Sequence, residues 1–130
     1  MNYSIAIYGG PYSDQSAHSA LHFAKAALLR NHSIQRVFFY HDGVYNSSVL
    51  VSPPQDETNV STQWQDLAKD HNIELVVCIA AAVRRGLMDE KEAKRYGKST
   101  HNLADGFTLS GLGQLIDAGM TCDRLITFGA

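Results

Sequence analysis

The chain has 130 residues, 45% of them hydrophobic and 18% charged, with a formal charge of -2. That composition fits one globular domain able to bury about two-thirds of its unfolded surface, and it excludes a disordered chain, a coiled coil and a large basic nucleic-acid surface. The N-terminus, MNYSIAIYGG, has no basic segment and its apolar run is too short for a signal peptide or a membrane span, so a cytoplasmic protein is expected.

In chain order, Tyr3 to Tyr8 is apolar and β-branched enough for a buried strand, and Gly9, Gly10 and Pro11 stop it. Ser13 or Asp14 can then cap a helix. Ala17, Ala20, Leu21, Ala24, Ala27 and Leu28 recur at helical spacing and predict a helix from about Gln15 to Arg30 lying on the sheet through a small-residue stripe. Val37 to Tyr40 predicts a second strand, closed by His41, Asp42 and Gly43. From His41 through Pro54 the sequence reads as a long, exposed polar loop, a length at which loops are often functional.

Val60, Trp64, Leu67 and Ala68 define the next helix, and Ile73 to Val77 a third strand. Ile79 to Val83 opens another helix, Asp89 to Tyr96 is a short charged one, and Thr108 to Ala118 reads as helix despite Gly111 and Gly113. Arg124 to Phe128 closes the chain as a strand. Strands alternating with helices predict an α/β fold with parallel pairing and right-handed crossovers. Four strands are legible, and a fifth is not placed.

Among the residues that carry chemistry, Cys78 stands out. It sits where the β-branched run ELVV ends and the small-residue run IAAAV begins, at the tip of a strand and beside a helix start. Ligands and chemistry in α/β proteins gather at such tips. The first turn of a helix leaves N–H groups unpaired and carries partial positive charge, which favours thiolate over thiol. The competing reading is a buried cysteine acting as a small apolar filler, and position alone divides the two about evenly.

Other groups carry less. Cys122 precedes the last strand with no helix after it and reads as structural; both thiols read as free in a reducing compartment. Arg84 and Arg85 fit a solvated helix C-terminus. His18 and His22 have metal-ligand spacing but no third ligand. His41 with Asp42, or His101, is a conceivable base for a thiol nucleophile, though nothing in the sequence marks either. Gly9 with Gly10, and Gly111 with Gly113, match no dinucleotide fingerprint and read as tight turns. The Asn-x-Ser sequons at Asn2, Asn31, Asn46 and Asn59 have no expected role outside a secretory route.

The blocks IYGGPYSDQSAHSALHFAKA, VFFYHDGVYN, CIAAAVRRG, GFTLSGLGQL and CDRLITF together resemble the DsrE-like sulfur-relay family over nearly the whole chain, and lean toward its tRNA-thiolating branch. The resemblance implies a three-layer α/β/α sandwich on a mainly parallel sheet of four to five strands. It implies that Cys78 carries sulfane sulfur as a persulfide, in a relay ending in 2-thiouridine at the tRNA wobble position. The implied partners are TusB- and TusC-like subunits in a dimer of heterotrimers, a TusA-like donor and a TusE-like acceptor. No cofactor is implied.

Within that frame the N–H groups of Ile79 and Ala80 are candidates for holding the anionic sulfur, and Tyr40 and Tyr45 candidates for a wall shielding it. Two alternatives stay open: a DsrE-type carrier serving sulfur oxidation, and a non-catalytic assembly subunit with an inert buried thiol.

Overall fold

The structure, a computed structural model, describes residues 1–129. β1 (Asn2–Ile7) runs into the Gly9–Gly10 turn, and α1 (Ser16–Leu29) follows. α1 buries Ala17, Ala20, Leu21, Ala24 and Ala27, the small side chains that let a helix lie close on a sheet. Asp14 accepts hydrogen bonds from the Ser16 N–H and Oγ and so ties down the first turn. The helix ends into Asn31, whose φ of 63° reverses the chain toward β2 (Ser33–Phe39).

α2 (Val60–His71) starts at Asn59, whose side chain accepts from the Thr62 N–H, and stops at Asn72 in the left-handed conformation. Its Trp64 is fully buried with its ring edge-on to Phe39. Burying a side chain such as Phe38 or Phe39 contributes about 1.5–3 kcal/mol, so the middle of β2 anchors the core. Then come β3 (Glu74–Cys78), α3 (Ile79–Arg84), α4 (Glu90–Arg95), β4 (Phe107–Ser110), α5 (Gly113–Thr121) and β5 (Arg124–Phe128).

The sheet has five strands in the order β4-β3-β2-β1-β5, and every pairing is parallel. The chain steps one way from β1 to β4 and then returns across the sheet to β5. With right-handed crossovers that reversal puts α5 on the opposite face from α1 and α2. Side chains agree: Phe39 of β2 meets Trp64 of α2, whereas Arg36, on the other face, reaches α5. This is the expected α/β sandwich of three layers, with α5 covering the second face.

Arg36 is buried and holds that face together. Its guanidinium pairs with Glu74 at 2.7 Å and Asp117 at 3.0 Å and donates to the Gln114 carbonyl at 2.8 Å. Burial works against its charge, but the two carboxylates win and raise its pKa above the ordinary arginine value.

Two sequence expectations are corrected. Residues Thr108 to Ala118, read as one helix, are strand β4 followed by α5. Gly106, at φ 87°, turns the chain into the strand, which pairs with β3 from Leu75–Phe107 to Cys78–Ser110. This is the fifth strand: four residues are too few for a period of two to show, and an edge strand buries mainly one side chain, Phe107.

The loop from His41 to Pro54 begins as a 3-10 segment, His41–Ser47, with Gly43, Val44, Asn46 and Ser47 buried. It is folded inward on side-chain hydrogen bonds to main-chain carbonyls. The Asn46 amide donates to the Gly43 and Gly9 carbonyls, and Ser47 Oγ to the Val44 carbonyl. At Gly43 a Cβ would fall onto the Ile7 carbonyl, so only glycine allows this approach to β1. The sequon asparagine Asn46 is fully buried.

Candidate functional site

Parallel strands bring their C-terminal tips to one edge of the sheet, and Cys78 stands there at the tip of β3, one strand in from β4. It is the last residue of β3 and the N-cap of α3, with extended backbone (φ -61°, ψ 116°), as the switch from β-branched to small residues predicts. Its neighbour on the β4 side is Ser110, paired with it across the ladder. On the β2 side Val76 pairs with Phe38, and Tyr40 follows Phe39 in extended conformation. By the period of two, Tyr40 therefore stands on the same face of the sheet as Cys78.

The thiol is free and recessed, only 2% exposed within the hydrophobic core. Ile79 and Ala80 open α3, half-buried and exposed respectively, and line a pocket of about 420 Å³ between α3 and α4. The 3-10 segment packs against α3 and supplies the neighbouring wall.

Of the two tyrosines expected in that wall, Tyr40 is half-buried, stacked on His41 (centroids 4.2 Å apart) and edge-on to Tyr8. Tyr45 lies in the 3-10 segment and is exposed.

The His41–Asp42 pair does not form a base and its orienter. Asp42 Oδ1 instead accepts from Arg85 Nε at 2.9 Å, and the same guanidinium donates to the Ala81 carbonyl. His41 is held by its aromatic neighbours. Arg85 thus does more than end a helix: it fastens the end of α3 to the turn beyond β2. No local pattern signals this contact, because residues 43 apart meet only once parallel strands align their tips.

Ser110 was hidden for a related reason, lying in the stretch read as helix. Cys122 is half-buried and caps α5 just before β5 begins, at the opposite end of the parallel sheet from Cys78, which places a disulfide between them out of reach. His18, on α1, packs edge-on against Tyr12 of the preceding turn.

Asp14 carries its carboxyl just ahead of α1. The hydroxyl and then the N–H of Ser16 donate to it and hold its pKa below the ordinary aspartate value, outweighing a small opposing desolvation.

The model of the DsrE/DsrF-like family matches residues 1–128. The chain belongs to the DsrE/DsrF-like family. It is 50% identical over 129 residues to an Allochromatium vinosum protein provisionally named sulfurtransferase DsrE, covering 99% of each chain. It is 49% identical over 128 residues to the sulfurtransferase TusD of Salmonella newport, covering 98% of this chain and all of that one. Among solved structures, the YchN protein of E. coli superposes with a TM-score of 0.72 at 22% identity, covering 98% of this chain and all of that one; this likeness carries the fold. No helix among the described residues is long and apolar enough to cross a membrane.

Proposed function

We propose that this family member is a sulfurtransferase of a sulfur relay in which Cys78 carries one sulfane sulfur. The observation that carries the reading is near-half identity over the full length to two proteins named sulfurtransferases, in a chain whose one cysteine at the catalytic edge of the sheet is Cys78. The Cys78 thiolate attacks the outer sulfur of a donor's cysteine persulfide. The donor's S–S bond breaks, the donor leaves as thiolate, and Cys78 becomes the persulfide. An acceptor cysteine thiolate then attacks that outer sulfur and releases the Cys78 thiolate. Neither step changes the net oxidation state, and both depend on thiolate fraction, leaving group and access.

The recessed thiol suits a carrier that must not yield its sulfur to any passing small thiol. Tyr40, on the same face, and Tyr45, in the 3-10 wall, are the side chains we assign to shielding it, and the first N–H groups of α3, at Ile79 and Ala80, to facing the anion. Assembly with related TusB- and TusC-like subunits is supported by α5 and β5, which leave Leu112, Ile116, Met120 and Leu125 exposed; Met120 is 80% accessible. Leu112, Ile116 and Met120 recur every four residues and form one stripe. The remaining partners of this reading are a TusA-like donor and a TusE-like acceptor in the cytoplasm, and the end product is wobble 2-thiouridine in tRNA.

The near-equal identity to DsrE supports a second reading, the same carrier chemistry serving sulfur oxidation. Deleting the gene and assaying tRNA separates them. Loss of 2-thiouridine, restored by the wild-type chain and not by Cys78→Ser, is the result expected. Unchanged tRNA thiolation would leave the oxidation reading.

A further inference from the structure

The pocket between α3 and α4 begins one residue past Cys78. Ile79, Ala80 and Val83 form its apolar side, and Glu92, Arg95 and Tyr96 face them. Glu92 is the group that calls for a ligand. Asp89 caps α4 and accepts the Glu92 N–H at 2.8 Å, a spacing at which the glutamate ordinarily reaches back to the N-cap N–H. Glu92 makes no such bond. Its side chain is 7% exposed, Oε1 lies 3.7 Å from Arg95 Nη1, and Oε2 has no hydrogen-bond partner.

Leaving a buried polar oxygen unpaired is destabilising, and an apolar isostere would avoid the cost. The guanidiniums of Arg84 and Arg95 flank the same pocket from exposed positions, and among the described residues Arg84 has no carboxylate partner.

We propose that this pocket docks an acidic side chain of the protein that exchanges sulfur with Cys78. The aspartate or glutamate of the incoming segment lies between Arg84 and Arg95, and a main-chain N–H of that segment donates to the Glu92 carboxyl. Two guanidiniums favour an anion, while the unpaired acceptor demands a donor beside it. A polypeptide bearing an acidic residue supplies both from one segment, whereas the phosphodiester group of a nucleic acid carries no donor of its own. This inference rests on the carrier reading of Cys78, because docking here sets the partner's chain against the first turn after the thiol.

The test uses the full chain and two fluorescent peptides of the same sequence, one with a central aspartate and the other with asparagine. The aspartate peptide is expected to bind about tenfold tighter, the worth of roughly one charge-assisted contact, and the preference to vanish in Arg84→Ser Arg95→Ser. Glu92→Met is expected to weaken aspartate-peptide binding several-fold while raising the melting temperature, since it removes the unpaired oxygen and keeps the bulk. Equal binding of the two peptides, a preference that survives the arginine replacements, or a Glu92→Met protein that melts lower overturns the proposal. Persulfide loading from a small-molecule donor is followed in the same samples. An unloaded Cys78 with the aspartate preference intact contradicts the carrier reading alone.

Discussion

Arg85 donates through Nε to Asp42 Oδ1 at 2.9 Å, joining the last turn of α3 to the first residues of the 3-10 segment. Cys78 opens the helix that this contact closes, so the pair fixes the walls on two sides of the thiol.

Arg85→Ala should therefore affect access more than stability. The pair is only partly buried, 22% and 64% exposed, and its loss is expected to cost about 0.5 kcal/mol. Alkylation of Cys78 by iodoacetamide should meanwhile accelerate several-fold, because reaction of a recessed thiol follows local opening of its walls. Unchanged alkylation would show that the contact does not gate the site.

At Arg36 the balance reverses. Its side chain is 8% exposed while Glu74 and Asp117 are more than half exposed, so the carboxylates left behind can rehydrate. Arg36→Ala is expected to cost about 2–3 kcal/mol, below the range for breaking a fully buried pair, from lost packing and from the Gln114 carbonyl losing its donor. Urea denaturation measures it, and persulfide loading of the folded variant should match wild type.

Gly43→Ala puts a methyl group onto the Ile7 carbonyl, against backbone that cannot move without breaking the sheet. A loss of more than about 2 kcal/mol is expected, with faster modification of Cys78 as the 3-10 segment lifts. A variant as stable as wild type would mean that the segment has room the structure does not show.

Asp14 sets an acid dependence. Its folded pKa is depressed, so its contribution is present above the unfolded value near 3.8 and is lost as pH falls through the lower folded value. Asp14→Ala should be less stable than wild type at neutral pH, and the gap should close in acid below 3.8. Denaturation midpoints against pH give the comparison.

Much of this was legible in the sequence wherever one periodicity ran long enough. β1, α1, the core of β2, α2 and β5 follow from their apolar patterns, and the strand-to-helix switch at Cys78 places the thiol at the edge of the sheet. β4 was not legible because its four residues lie between two glycines and bury little more than Phe107. The 3-10 segment looked like exposed loop because its burial rests on polar side chains, the Asn46 amide N–H and the Ser47 hydroxyl, donating to carbonyls that no pattern reveals. The Arg85–Asp42 contact and the lone Oε2 of Glu92 are tertiary facts, created when tips of non-consecutive elements converge.

The central claim is tested most directly by mass spectrometry of the intact protein after incubation with a persulfide donor. One added sulfur atom, localised to the peptide containing Cys78, retained in Cys122→Ser, absent from Cys78→Ser and transferable to an acceptor thiol, is the result predicted. An unmodified Cys78, or equal loading of the Cys78→Ser protein, would contradict the account.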